Sequence, residues 1–238
     1  MNGTLFCIGV GPGDPELLTR KAVRLLERCP VWAAPKTSGG RSVALSIAAQ
    51  AVNPGARRML PLSFPMTRDP EKQDESYRRA AEALCACLAG GQDAALLTLG
   101  DVSIYSTAGH VLARVEQRGF PVEICAGVPS FSAAAAALHL PLTQRREPLL
   151  VLPADHPDLM ALLHFPGTKV LLKAGSRLPE LKALLKEAGL PEKTCAVLDC
   201  GMPTQRLWHS AADLPDALGY FLTLIVPGDA APAPAKEP

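Results

Sequence analysis

The residues of this 238-residue chain that could do chemistry gather where short apolar runs end. The apolar run 94–99 stops at the pair Gly100-Asp101. Four hydroxyl side chains follow: Ser103, Tyr105, Ser106 and Thr107. Because ligands of open α/β sheets bind just beyond the carboxyl ends of buried strands, we predict a ligand site here, with Asp101 as a hydrogen-bond acceptor. The alternative is a strand that leads into a helix capped by Asp101.

Two more glycine-containing turns follow predicted strands, Gly9-Val10-Gly11-Pro12-Gly13-Asp14 and Ala126-Gly127-Val128-Pro129-Ser130-Phe131-Ser132. The first has the place of a dinucleotide-binding loop, but Asp14 stands where that fingerprint needs its third glycine. A carboxylate at a helix N-terminus would repel a pyrophosphate, so we interpret this segment as a turn that shapes a cleft. The second turn leads into five alanines, which suit tight packing on a sheet or a bulky ligand against the helix.

Composition and charge exclude several classes of partner. Lys plus Arg number 24 and Asp plus Glu number 23, so no general attraction to nucleic acid or anionic membranes is expected. No apolar stretch is long enough to span a bilayer and no basic leader precedes one, which indicates a cytoplasmic protein. The seven cysteines and five histidines lack metal-ligand spacing, so we expect reduced core thiols and no metal site.

Apolar runs alternate with helical periodicity, which predicts an α/β protein. Strands are predicted at residues 4–10, 31–34, 57–62, 94–99, 122–125, 149–152, 169–173, 195–198, 206–210 and 220–226. Helices are predicted at residues 15–28, 42–51, 69–88, from about 105, 130–138, 159–164 and 178–188. The first half indicates a mainly parallel sheet, and the last strands, which no helix separates, indicate a mixed one. We expect domains at 1–118 and 119–228 and, because it is rich in Ala and Pro, a disordered tail at 229–238.

Together these segments resemble the tetrapyrrole methylases, which use S-adenosyl-L-methionine to methylate uroporphyrinogen and precorrins. The resemblance spans residues 4–227 and rests on the three turns above and the strand end Leu171-Leu172-Lys173. Four segments resemble the branch that methylates carbon 20 of precorrin-2 or cobalt-factor II: Ala34-Pro35-Lys36-Thr37, Leu62-Ser63-Phe64-Pro65-Met66-Thr67-Arg68-Asp69, Tyr105-Ser106-Thr107 and Gly219-Tyr220-Phe221. The chain departs from many relatives at Val102, where they have proline, and at Ala108, where they have an aromatic residue.

The resemblance implies a homodimer of two-domain chains with the cofactor in the cleft between the domains. It implies these cofactor contacts: Pro12, Gly100, Asp101, Val102, Ile104, Tyr105, Ser130, Phe131, Leu172, Gly201, Met202, Pro203 and Thr204. Asp101 and Tyr105 are the candidate catalytic residues, through positioning more than acid–base chemistry. Because the tetrapyrrole substrate carries carboxylates, cationic side chains should bind it. The candidates are Lys36, Arg41, Arg145, Arg146 and Lys173.

Other functions stay open at this point. A methylase of the same fold could act on another precorrin carbon, on a diphthamide precursor or on ribosomal RNA. RNA is disfavoured because the chain lacks a basic face with interleaved aromatic residues. A different class is a non-catalytic protein that binds tetrapyrroles or adenine nucleotides, in which the glycine-rich turns serve only for packing.

Overall fold

The structure, a computed structural model, describes residues 1–36, 42–67 and 69–228. It confirms the predicted α/β class, with one parallel and one mixed sheet of five strands each. The chain divides into two compact units, Met1–Pro129 and the residues from Ser130 onward. The tail predicted to be disordered, 229–238, lies outside the described residues. None of the helices in the described ranges has the length and apolar character that crossing a membrane requires.

The amino-terminal unit is built on a parallel sheet with the strand order β3-β2-β4-β1-β5. Its strands are β1 Leu5–Gly9, β2 Val31–Pro35, β3 Arg58–Leu62, β4 Ala94–Thr98 and β5 Val122–Cys125. Its helices are α1 Arg20–Arg28, α2 Val43–Ala51, α3 Pro70–Ala89 and α4 Ala108–Gln117. Every residue of β1 and β4 is buried, because α1 and α2 cover one face of the sheet and α3 and α4 the other.

The carboxy-terminal unit is built on a mixed sheet with the order β6-β7-β10-β8-β9. Its strands are β6 Leu149–Pro153, β7 Thr168–Leu172, β8 Cys195–Leu198, β9 Arg206–Trp208 and β10 Leu222–Val226. Its helices are α5 Ser130–Ala137, α6 Leu159–Leu163 and α7 Leu178–Glu187. Strands β6 and β7 are parallel, whereas β10 is antiparallel to both β7 and β8. One edge of this sheet therefore carries the carboxyl ends of β6, β7 and β8 and the amino end of β10.

The helix predicted at residues 15–28 is wrong in one respect, because the chain breaks it. A short 3-10 turn, Pro15–Leu17, comes first, and the Asp14 carboxylate caps it by accepting from the Glu16 amide at 2.8 Å, as predicted. Thr19 is extended and caps α1, since its hydroxyl oxygen accepts from the Ala22 amide at 3.1 Å. Because the Thr19 hydroxyl bonds to the backbone in a non-helical conformation, the first helical turn ends before Thr19 and α1 begins after it.

Two other boundaries also differ from the prediction. Helix α4 begins at Ala108 and not near residue 105, because Tyr105 has a φ of 46°, which no right-handed helix accommodates. The structure divides the chain after Pro129 and not after residue 118. The reason is that β5 pairs in parallel with β1, in the register Leu5↔Val122, and so completes the first sheet.

All seven cysteines are free and buried, as predicted for core thiols. Desolvation raises the pKa of Cys7 and of Cys29 to about 12. It raises the pKa of Cys195 and of Cys200 to about 11. These thiols therefore stay protonated at neutral pH and act as small apolar side chains.

The two threonines that precede helices give a matched test of this capping. Thr19→Ala removes the acceptor for the Ala22 amide, so the free energy of unfolding should fall by about 1 kcal/mol. Thr107→Ala is the control, since Thr107 precedes α4 without a side-chain capping bond, and its loss should stay below about 0.5 kcal/mol. Urea unfolding followed by circular dichroism measures both, and equal losses would contradict the capping role of Thr19.

Candidate functional site

The turns that follow β1 and β4 meet at the carboxyl edge of the first sheet, because these strands are neighbours. The Gly11 amide donates to the Gly100 carbonyl at 3.2 Å, and the Gly100 amide donates to the Gly11 carbonyl at 2.7 Å. Both glycines have positive φ, 77° and 71°, which side chains rarely tolerate. The two turns are thereby locked together by a backbone bridge, and not by side chains.

The turn after β5 joins the same place. A Cβ added to Gly127 would lie 2.2 Å from the Gly100 carbonyl oxygen, and one added to Gly9 would lie 2.7 Å from it. Three backbones thus come together where no side chain fits. We call Gly9, Gly11, Gly100 and Gly127 the glycine junction. It brings together the three turns that the sequence singled out separately.

Asp101 fastens the glycine junction. One carboxylate oxygen accepts from the Gly127 amide at 2.7 Å, and the other accepts from the amide of Ser103 at 2.8 Å and from its hydroxyl group. Burial raises the pKa of Asp101, but the hydrogen bonds from Ser103 and Gly127 outweigh it, so the pKa lies below its ordinary value of 3.8. Both oxygens are occupied and the group is ionised at neutral pH. A carboxylate held in this way is better suited to positioning the loop than to removing a proton from a substrate.

The rest of the loop divides between the core and the surface. Val102 and Ala108, the two positions that depart from the family pattern, are only 5% and 3% exposed and belong to the core that α3 and α4 cover. Tyr105 is 48% exposed and has positive φ. Ile104 is half-buried, and Ser103 is exposed. Val102 can therefore offer a ligand only its backbone, whereas the Tyr105 side chain points outward in a strained conformation.

The chemistry of these turns fits a sulfonium cofactor. Residues 9–14, 99–107 and 126–131 contain two aspartates and no lysine or arginine, which disfavours a phosphate ligand and favours a cation. The glycine junction lets the three turns pack backbone against backbone. Pro12 is buried, and Ser130 and Phe131, the first residues of α5, are half-buried. An adenine and an amino-acid end require hydroxyl, backbone and apolar surface, and each unit offers some of these groups.

Leu172, Lys173 and the turn 201–204 lie at one edge of the carboxy-terminal sheet. Leu172 ends β7, and Lys173 follows it with a φ of 61°. The turn after β8 begins at Asp199, whose φ is 50°. Strain of this kind concentrates at functional sites, and Tyr105 shows it in the other unit.

The turn after β8 is held by its own side chains. The Thr204 hydroxyl donates to the Asp199 carboxylate at 2.8 Å, and the Gly201 amide donates to the Gln205 side chain at 2.7 Å. Both groups therefore stabilise the turn. Met202 is half-buried and Pro203 is exposed, so these two provide the apolar surface.

The cationic candidates of the carboxy-terminal unit lie at opposite edges of its sheet. Lys36 follows β2 at the carboxyl edge of the first sheet, the edge that carries the glycine junction. Lys173 lies at the carboxyl end of β7, whereas Arg145 and Arg146 precede the amino end of β6. Because β6 and β7 are parallel, these arginines lie at the opposite edge of the sheet from Lys173. Arg41 lies outside the described residues.

Two further polar residues flank Lys173, and the sequence analysis gave neither of them a role. Asp155 follows β6, and Tyr220 precedes β10, and these strands are the two neighbours of β7. The signal for Asp155 was an acidic residue just after a predicted strand. The position of Asp155 beside Lys173 depends on the strand order of the sheet, which local sequence patterns do not encode. Tyr220 belonged to a family-like segment but carried no predicted chemistry.

Comparison with known proteins supports one family. The sequence profile of the tetrapyrrole (corrin/porphyrin) methylases matches residues 4–215. A cobalt-precorrin-2 C(20)-methyltransferase of Salmonella typhimurium is 33% identical over 233 residues, 95% of this chain and 97% of the relative. A precorrin-2 C(20)-methyltransferase of a Sinorhizobium species is 32% identical over 240 residues, 95% and 96% of the two chains. The crystal structure of a uroporphyrin-III C-methyltransferase of Thermus thermophilus complexed with S-adenosyl homocysteine aligns with a TM-score of 0.68, 26% identity and 95% and 98% coverage.

A single methyl group should disrupt the glycine junction. In Gly127→Ala the new Cβ would lie 2.2 Å from the Gly100 carbonyl oxygen, so the free energy of unfolding should fall by about 1–3 kcal/mol. Gly109→Ala is the control, because a Cβ there meets nothing within 4 Å and Gly109 lies in α4. It should raise that free energy by about 0.5–1 kcal/mol. Urea unfolding measures both, and a neutral Gly127→Ala would contradict the close contact.

The carboxylate of Asp101 should make stability depend on pH. Because its pKa is lowered in the folded protein, its contribution is present above the ordinary value of 3.8 and is lost as the pH falls through the folded pKa. Asp101→Asn should cost about 1–2 kcal/mol at pH 7, since one carboxamide atom cannot accept a hydrogen bond.

The stability difference between Asp101→Asn and the unmodified protein should then shrink below about pH 4, measured by urea unfolding across the acid range. Asp14→Asn is the control, because asparagine caps a helical turn as well as aspartate does. A difference for Asp101→Asn that stays constant on acidification would contradict a carboxylate-specific contact.

Proposed function

Because the chain belongs to the tetrapyrrole (corrin/porphyrin) methylases, we propose that it methylates carbon 20 of precorrin-2 or cobalt-factor II in cobalamin biosynthesis, with S-adenosyl-L-methionine as the methyl donor. The observation that carries this proposal is the identity to the Salmonella and Sinorhizobium relatives along nearly the full length of all three chains. One relative is named for cobalt-precorrin-2 and the other for precorrin-2, so we keep both the cobalt-containing and the cobalt-free substrate. A cytoplasmic homodimer is part of the proposal and rests on the family resemblance.

The proposed cofactor contacts follow the turns of each unit. In the amino-terminal unit, which would hold the donor loop and the substrate trough, they are Pro12, Gly100, Asp101, Val102, Ile104 and Tyr105. In the carboxy-terminal unit they are Ser130, Phe131, Leu172, Gly201, Met202, Pro203 and Thr204. Val102 would contribute through its backbone, because its side chain is buried. Thr204 and Gly201 would keep the turn in place for Met202 and Pro203.

The chain's own contribution to catalysis would be positioning. When bound, the sulfonium group supplies the methyl: the carbon–sulfur bond breaks, its electron pair stays on sulfur, and a carbon–carbon bond forms. No side-chain nucleophile is needed, and a site that holds the reactants close and excludes water supplies much of the rate. Asp101 would fix the donor loop through Gly127, and Tyr105 would orient the reactants from that loop. The occupied oxygens and low pKa of Asp101 argue that the ring proton leaves to another acceptor.

The proposed substrate carries carboxylates, so cations at the strand ends would bind it. Lys36 in the amino-terminal unit and Lys173 in the carboxy-terminal unit are the two that we propose. Both follow the carboxyl ends of strands, where ligands of α/β sheets bind. Arg145 and Arg146 are left out because they precede the amino end of β6.

A direct assay tests the proposal. Purified protein is incubated with a 13C-methyl donor and either precorrin-2 or cobalt-factor II, and the product is analysed by mass spectrometry and carbon NMR. One labelled methyl group should appear on carbon 20 of at least one substrate. Gly100→Leu, which places a branched side chain at a φ of 71°, should lose both turnover and calorimetric binding of S-adenosyl-L-homocysteine. Gly109→Ala should keep both.

Each other outcome overturns part of the proposal. Label on a different ring carbon would reassign the chain to another step of the same family. Binding of both reactants without transfer would support the non-catalytic alternative. Tight binding of NAD in place of S-adenosyl-L-homocysteine would restore the dinucleotide interpretation of the first turn.

A further inference from the structure

Three polar residues meet at one edge of the second sheet: Asp155, Lys173 and Tyr220. Asp155 is the second residue after β6, Lys173 is the first after β7, and Tyr220 lies two residues before β10. The strands are adjacent in the order β6-β7-β10. The register pairs Pro153 with Leu172 and Leu171 with Leu224, so the three segments leave the sheet side by side.

The backbone around Lys173 is held in place from both sides. The Ala154 amide donates to the Leu172 carbonyl at 2.9 Å, which extends the β6–β7 pairing up to Lys173. A Cβ added to Gly175 would lie 1.8 Å from the Gly219 carbonyl oxygen, so the chain after Lys173 touches the chain before Tyr220. Lys173 itself has a φ of 61°, a conformation that lysine adopts only when its surroundings impose it. The backbone of Lys173 is therefore held in a strained conformation.

Asp155 acts electrostatically on both neighbours. Desolvation lowers the pKa of Lys173, and the Asp155 carboxylate opposes that change. Burial raises the pKa of Tyr220, and the same carboxylate raises it further. The Asp155 carboxylate thus favours the charged form of Lys173 and the neutral form of Tyr220. Other charges nearby are satisfied differently, since Arg177 pairs with Glu180 and Asp199 accepts from Thr204.

We propose that Lys173 and Tyr220 form a seat for a carboxylate of a bound reactant, and that Asp155 is a positioning residue that orients the lysine. An ammonium and a phenol hydroxyl supply charge-assisted donors to one anion, and a neighbouring carboxylate keeps the ammonium from turning into solvent. This inference rests on the proposed function, in which both the tetrapyrrole and the amino-acid end of the methyl donor carry carboxylates. The seat would bind a carboxylate of either the tetrapyrrole or the methyl donor.

Lys173→Asn is the decisive variant, because asparagine tolerates the left-handed conformation and replaces the ammonium with a shorter, neutral side chain. The protein should keep its thermal stability, and affinity for one reactant should fall at least about tenfold. A higher KM for the tetrapyrrole with unchanged kcat assigns the seat to the substrate. Weaker calorimetric binding of S-adenosyl-L-homocysteine assigns it to the cofactor.

Two control variants each reproduce one feature of Lys173→Asn outside the proposed seat. His139→Asn alters another exposed residue with a φ of 52°, and Lys186→Gln removes a charge from the surface of α7. Both should leave KM and the dissociation constant within about twofold. Tyr220→Phe and Asp155→Asn should each weaken the same reactant as Lys173→Asn by about three- to tenfold, without changing kcat. A weaker affinity at unchanged kcat would distinguish a positioning role from a loss of folded enzyme.

The inference can fail while the function stands. If the unmodified protein methylates its substrate and Lys173→Asn changes neither KM nor the dissociation constant by more than about twofold, the seat is refuted. It is also refuted if Tyr220→Phe and Asp155→Asn lower kcat alone. If the unmodified protein transfers no methyl group, the proposed function fails. In that case, calorimetry with S-adenosyl-L-homocysteine and with the tetrapyrrole still decides whether Lys173 binds a carboxylate.

Discussion

The contact of three backbones at the glycine junction is the constraint on which the rest of the structure depends. Gly9 ends β1, Gly100 and Gly127 lie two residues after the neighbouring strands β4 and β5, and a Cβ at either Gly9 or Gly127 would overlap the Gly100 carbonyl. Because no side chain separates them, the turns that carry the chemistry are fixed by the sheet itself. The Asp101 carboxylate then joins the turn after β4 to the turn after β5 by accepting a hydrogen bond from the Gly127 amide.

This arrangement explains why some motif residues serve through their backbone and others through their side chains. Val102 and Ala108 belong to the motif region, but their side chains fill the core beside α3 and α4. Variation there changes how the loop packs, and not directly what a ligand meets. Tyr105, in contrast, combines a positive φ with a side chain that is 48% exposed, so this side chain is accessible.

Local patterns predicted much of this fold, and the failures have a common cause. Ser42 and Asp69 were predicted as the first residues of helical segments, and their side chains do cap α2 and α3. The mixed character of the second sheet followed from strands without an intervening helix. The place of β5 in the first sheet did not, because it depends on pairing with β1, over a hundred residues away. Asp155 and Tyr220 were not recognised as neighbours of Lys173 for the same reason. They lie beside it only because β6 and β10 are the two strands next to β7.

The order of the first sheet also has a consequence for how the protein acquires its shape. Strand β1 leaves the ribosome first, but its two partners are β4 and β5, so its edges stay unpaired until residues near 125 have been made. Contacts of such high sequence separation are slow to form and leave apolar edges exposed meanwhile. The glycine junction closes only when the last of these strands docks. The loop 99–107 and the amino-terminal unit are therefore completed together, and a chain stalled before that point has neither.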